Sequence, residues 1–211
     1  FYELLQAQQA ALFKDLTEKN ALKVIADSKG PWETALKDMY LGIGEEFGSD
    51  MVIEKRKITP DLNQAMIDFI DSEGIILTEV SLISETTVST ILLHIQNGIE
   101  QGLSTGDIQQ SIIDSGAFSP ERSLMLSRTL TGSAANLGQI TSAQLSGATH
   151  KTWLTAGFEV RKTHQDLDGK KIKIDENFNV GGHPARYPLD NQLPPAEKCN
   201  CRCTLTYSIE D

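Results

Sequence analysis

The side chains best suited to chemistry lie near the C-terminus. His164, His183, Cys199, Cys201 and Cys203 supply the imidazole and thiolate ligands that zinc prefers in a four-coordinate site. The candidate ligand set is His164, Cys201 and Cys203, with Asp168 or His183 as the fourth ligand. Two cysteines one residue apart can share a metal, although the usual knuckle places two to four residues between them. Two other readings fit the same residues. In one, the thiols pack as small apolar groups beside the last strand while His164 bonds to a backbone carbonyl. In the other, a disulfide closes within Cys199 to Cys203, against which the strain of so short a loop counts.

Arg161 and His164 stand three residues apart, so a helical turn would point them the same way and a strand would point them to opposite faces. With Asp166 and Asp168 they form a candidate ion-pair and hydrogen-bond cluster at the Gly169 turn, and this structural role outweighs acid–base catalysis. Arg161, Lys162, Lys170, Lys171 and Lys173 make a local basic patch, read as a solvated strand and turn or, second, as a point of contact with phosphate. Trp32, Trp153 and His94 read as packing residues. The sequence has no phosphate-cradling glycine-rich loop, nucleophile elbow or His-Glu-x-x-His helix. No catalytic residue is assigned.

Two unlike regions must position these residues, and together they predict an α+β chain. Up to about residue 150 the apolar residues recur at three and four, as on one face of a helix. Leu4, Leu5, Leu12 and Leu16 form one such face; Trp32, Leu36, Met39, Tyr40 and Ile43 form another. Leu62, Ala65, Met66 and Phe69 continue the pattern after a helix start at Thr59-Pro60, where proline tolerates the first turn. Ile76, Val80, Ile83, Ile91, Ile95 and Ile99 keep a face apolar for about six turns. A turn at 102–106 precedes a short helix from Asp107 to Asp114, and Ser119-Pro120-Glu121 reads as the cap of a long helix over 120–149. That helix is rich in Ala, Gly, Ser and Thr, which predicts close backbone approach by its neighbours.

Beyond His150, strands are expected over Thr152 to Arg161, Lys170 to Ile174 and Thr204 to Ile209. Gly169, Gly181-Gly182 and prolines 184, 188, 194 and 195 make the intervening stretch dense in turns. The division expected is a helical body over 1–105 and a second domain over 106–211, in which the long helix leads into a small α+β module at 151–211.

The hydrophobic fraction of 39% and charged fraction of 23% are those of a folded globular chain rather than a disordered one. A net charge of −10 opposes bulk binding to a polyanion. Three cysteines within five residues are not the framework of a secreted disulfide scaffold, so a reducing compartment is expected. No stretch reaches the roughly 20 apolar residues of a membrane span, so no membrane partner is expected. No signal peptide is recognised, and the first residue, Phe1, suggests a fragment or processed product.

Lys151-Thr-Trp153, Arg161-Lys-Thr-His164-Gln-Asp-Leu-Asp168-Gly169, Phe178, Pro188, Pro195-Ala-Glu197 and Cys201-Arg-Cys203, in that order and spacing, resemble the signature of the phage Mu F-like head morphogenesis family. Arg128-Thr129 is similar to the start of an Arg-Thr-Glu element upstream, with Leu130 at its third position. The resemblance covers about residues 106–207. It implies a structural, non-enzymatic minor head protein of a tailed bacteriophage or prophage, present in few copies. It also implies association with the portal protein and with capsid or scaffold components, including oligomerisation through portal symmetry. The implied location is the virion interior near the portal, after assembly in the host cytoplasm, in local contact with packaged double-stranded DNA. The role would be head assembly and genome packaging or delivery. The alternative is a metal-dependent hydrolase or toxin-like effector built on the same domain, for which an additional activity domain would be expected and no room is seen after Cys203.

Overall fold

The computed structural model describes residues 1–49 and 62–210, together with the backbone of two short strands. In chain order the elements are α1 (Tyr2–Leu12), α2 (Glu18–Ser49), β1 (Val52–Ile53), β2 (Arg56–Lys57), α3 (Leu62–Ser72), α4 (Ile75–Glu100), α5 (Thr105–Asp114) and α6 (Pro120–Leu145). There follow β3 (His150–Leu154), α7 (Lys162–Gln165), β4 (Lys171–Lys173), β5 (Phe178–Val180), β6 (His183–Ala185), α8 (Pro195–Lys198) and β7 (Thr204–Ser208). The fold is a mainly helical body with small antiparallel sheets near the C-terminus, as the sequence predicts. The helix start at Thr59-Pro60 lies outside the described residues.

The chain forms two compact units that are not consecutive in sequence: Phe1–Leu36 with Ile76–Ser127, and Lys37–Ile75 with Arg128–Asp211. The division expected after residue 105 falls within Ile76–Ser127 of the first unit.

In the first unit Leu5, Leu12, Ile25, Trp32 and Leu36 are buried, as are Ile76, Val80, Ile83, Ile91 and Ile95 on one face of α4. Ile99 departs from the expected face and is 67% exposed. The final turn of α4 closes on α5 through Gly98 instead, where a Cβ would stand 2.4 Å from the Ile108 side chain. The ends of α5 and α6 follow local rules. Ser104 and Asp107 form a capping box at the start of α5, and the Ser119 hydroxyl accepts from the Arg122 amide at 3.1 Å.

By length and composition α4 is apolar enough to cross a membrane, contrary to the sequence expectation. Its core face nevertheless carries the buried polar residues Glu79, Ser84 and Thr87. Thr87 and the carbonyl of Ile83 accept from the Arg122 guanidinium at 2.8 and 3.3 Å. A face engaged by an arginine is packed against protein, and a buried core helix passes the same compositional test.

In the second unit α6 sits against α2 with no side chains between them. A Cβ on Gly138 would come 2.0 Å from the carbonyl oxygen of Gly44, and one on Gly48 would come 2.7 Å from that of Gly138. The small residues of α6 permit this approach, and Met66 of α3 fills the space over Gly44.

The three-stranded sheet has the order β4-β3-β7, all antiparallel, with Trp153 opposite Leu205 and Lys151 between Ile172 and Tyr207. The expected strand from Thr152 to Arg161 stops at Leu154. Gly157 and Glu159 take left-handed backbone angles, φ of 86° and 51°, which no strand accommodates. The long helix ends at Leu145 rather than 149, before Gly147 at φ 76°. The turn-dense stretch also holds the β5–β6 hairpin, whose connection is Gly181-Gly182.

That stretch is pinned by a buried network. Arg186 pairs with the fully buried Asp190 at 2.9 Å. The Leu189 carbonyl accepts from Ser133 of α6 at 2.8 Å, and the Arg186 carbonyl accepts from the buried Lys151 ammonium at 2.9 Å.

Candidate metal centre

The sheet and the short helices around it bring His164, Cys201 and Cys203 together. Arg161 caps the single turn α7, which carries His164 inward until its side chain is 1% exposed. The edge of the Trp153 indole faces the imidazole, ring centroids 5.6 Å apart. The chain leaves α8 through Asn200, whose left-handed backbone (φ 57°) reverses its direction so that Cys201 and Cys203 both turn back toward the histidine. Thr129 of α6 holds this reversal by accepting from the Asn200 amide at 3.0 Å. The Cys203 carbonyl is held by the Asn136 side-chain amide at 3.3 Å.

The His164 Nδ1 atom lies 3.4 Å from the Cys203 sulfur and 3.5 Å from the Cys201 sulfur. The three ligand atoms all lie within 4.8 Å of one another, and all three residues are buried. In a tetrahedral zinc site, with Zn–S of about 2.3 Å and Zn–N of about 2.0 Å, a sulfur and a nitrogen stand about 3.5 Å apart. The nitrogen-to-sulfur separations seen are compatible with that geometry.

Glu197, to which the sequence alone gives no role, completes the arrangement. Its carboxylate accepts from His164 Nε2 at 3.1 Å and from the Thr163 hydroxyl at 2.8 Å. A metal at Nδ1 would require the tautomer with its proton on Nε2, and the Glu197 carboxylate is placed to accept from that atom. Gly181 packs directly on this carboxylate: a Cβ there would stand 2.4 Å from it, and at φ 57° the position favours glycine in any case.

The Cys201 and Cys203 side chains hydrogen-bond to each other. A hydrogen bond from Cys203, opposed by burial and assisted by His164, pulls the Cys201 thiol down to about 5. Its bond to Cys201, together with burial, pushes the Cys203 thiol up. The Cys203 amide also donates to the Cys201 sulfur at 3.4 Å, a contact that favours thiolate at that position. One thiolate and one shared proton is the state from which a divalent cation would displace the last proton. No disulfide joins Cys199, Cys201 and Cys203.

The proposed fourth ligands are elsewhere. Asp168 accepts from the amide and hydroxyl of Thr155 at 2.8 and 2.9 Å, fixing the loop after β3. His183 is exposed on β6, opposite Val180. Cys199 is outside the group, and its carbonyl accepts from Arg161. Arg161 thus bonds to the cysteine loop rather than to an aspartate, while Asp166 pairs with Lys162 at the surface. In the basic patch, Lys171 pairs with Glu210 and Lys170 is exposed.

The open side of the three-ligand set faces a cavity of roughly 400 Å³. His164, Cys201 and Cys203 line it together with Arg128, Arg161, Arg202 and Phe158. Donor types, separations and burial fit a zinc ion with three protein ligands and one open position.

The sequence profile of the Phage Mu protein F like protein family matches residues 89–206. An NAD(+)–arginine ADP-ribosyltransferase of Enterococcus faecalis is 33% identical over 56% of this chain and 25% of its own length. The uncharacterized protein YqbB of Bacillus subtilis is 33% identical over 54% of this chain and 39% of its own. The minor head protein GP7 of Bacillus phage SPP1 is 27% identical over 58% of this chain and 41% of its own. The chain thus spans a quarter to about two fifths of the length of these relatives. No solved structure matches. Because the family profile covers more than half of the sequence, cluster included, the chain belongs to the Phage Mu protein F like protein family.

Proposed function

We propose that this chain is a structural minor head protein of a tailed phage or prophage, located in the virion near the portal vertex. It contacts the portal and capsid or scaffold components during head assembly and serves packaging or delivery of the genome. The observation that carries this reading is the family match together with the similarity to a phage minor head protein. The net charge of −10 is compatible with sharing a capsid with DNA without adhering to it.

In the same reading, zinc on His164, Cys201 and Cys203 ties α7, α8 and the start of β7 together, a role a small sheet with few core residues needs. Co-sedimentation of the chain with portal-containing procapsids tests the assembly role. Retention at a few copies per particle supports it. Recovery of all the chain in the soluble fraction, with procapsids and portal intact, contradicts it.

A second reading is favoured by the relative named as an ADP-ribosyltransferase. Under it, the module belongs to a toxin-like or hydrolytic effector. Transfer of ADP-ribose from NAD(+) to arginine by this chain, or metal-dependent hydrolysis, would support it. The structural reading expects neither.

A further inference from the structure

Among the described residues, none of the three arginines around the cavity is paired with a carboxylate. In a chain with 29 acidic and 19 basic residues, three uncompensated guanidiniums around one opening need an explanation. They come from three separate places: Arg128 from α6, Arg161 from the cap of α7, and Arg202 from between the two cysteines. Arg128 donates to the Asn200 side chain at 3.2 Å and Arg161 to the Cys199 carbonyl. Each guanidinium has five N–H donors, so both keep donors for a ligand. Arg202 lies over the Phe158 ring, 5.6 Å from its centroid, a contact that leaves its edge free. Glu159 is the only acidic residue on the lining.

We infer that the cavity is a phosphate-binding site in which a phosphate oxygen takes the open fourth position of the metal and the arginines take the remaining oxygens. The inference rests on the zinc reading above and deepens it. Two thiolates and a neutral imidazole cancel the charge of zinc, so an incoming anion is not repelled by the centre itself and is attracted by the guanidiniums. A phosphate bound to the metal by one oxygen keeps three more, enough for arginines approaching from three sides. A carboxylate keeps one. Arginine is also the side chain whose planar fork fits phosphate oxygens in pairs. The ligand class is therefore a free phosphate or a small phosphate monoester, which keep three and two unesterified oxygens beyond the one on the metal; a nucleic-acid backbone diester, left with one like a carboxylate, is the alternative that the DNA titration tests.

The test uses the full chain loaded with Co²⁺, which reports its own coordination by visible absorption. Thiolate-to-cobalt charge transfer that is weakened in Cys201→Ser and in Cys203→Ser and kept in Cys199→Ser establishes that this cysteine pair holds the ion. Titration with inorganic phosphate should then shift the d–d bands saturably, with acetate at equal ionic strength requiring a higher concentration. Arg202→Gln should weaken the phosphate response on the order of tenfold, the loss of one charge-assisted hydrogen bond, and leave the charge-transfer band unchanged. Duplex DNA titrated in parallel identifies the source. A shift at lower phosphate-equivalent concentration than free phosphate assigns the group to a nucleic acid, and a shift with free phosphate alone assigns it to a small ester. If charge transfer appears but neither phosphate nor DNA moves the d–d bands, the phosphate inference is overturned and the metal centre stands. If charge transfer never appears, the metal reading fails as well.

Discussion

Replacing Gly138 by alanine should destabilise the protein even though alanine is the better helix former. In an exposed helix interior the exchange gains about 1 kcal/mol. At Gly138 the added methyl would lie 2.0 Å from the Gly44 carbonyl oxygen and 2.6 Å from its Cα, and both atoms are backbone of another helix. No rotamer relieves the overlap, so the two backbones must give by roughly 1.4 Å to restore ordinary contact. Overpacking of this kind costs about 1–3 kcal/mol, and more where only backbone can yield. The net expectation is a loss of about 2 kcal/mol. Gly42 is the control, an exposed position on α2 with nothing within 4 Å of an added methyl, where alanine should gain about 0.5–1 kcal/mol. At roughly 2–4 °C per kcal/mol for a chain of this size, Tm followed by circular dichroism should fall by about 4–8 °C in Gly138→Ala and rise by about 1–4 °C in Gly42→Ala. A Gly138→Ala protein that melts at or above the wild type would refute the close-contact argument.

Two further predictions follow from the module. Burial pulls the Lys151 ammonium down to about 8. Between that value and the unfolded value near 10.4 the unfolded chain binds the extra proton, so stability should rise with pH across this window, by up to about 3 kcal/mol. Urea midpoints from pH 8 to 9.5 should climb in the wild type and not in Lys151→Met; parallel slopes in the two proteins would remove Lys151 as the source. Glu197→Gln keeps the size of the side chain but loses the carboxylate that orients His164, and should weaken zinc binding by about 10- to 100-fold; competition against a chromophoric chelator measures it, and unchanged affinity would deny Glu197 that role.

The sequence pointed to His164, Cys201 and Cys203 as candidate ligands because residue type carries most of the information for a zinc site, and the structure brings these three side chains together. It did not expose Glu197 or the arginines as partners. Arg128 lies more than 70 positions before Cys201, and only the left-handed Asn200 and the packing of α6 bring them to one opening. The fourth-ligand expectation failed to converge for a local reason, since Asp168 is taken up by Thr155 one loop away. Helical periodicity located the core faces well, and the small-residue texture of α6 signalled close packing. Its partner on α2 could not be read, because Gly44 and Gly48 become a pair with Gly138 only through a long-range contact. The end of β3 was misjudged because alternation continues past Leu154 while Gly157 and Glu159 turn the backbone away.

Metal content measured by inductively coupled plasma mass spectrometry on the chain purified without added metal addresses the central claim most directly. About one zinc per chain is expected, with loss of the metal and a lower melting temperature in strong chelator and in Cys203→Ser. A metal-free protein that takes up no zinc on addition and melts at the same temperature with and without chelator would contradict the account.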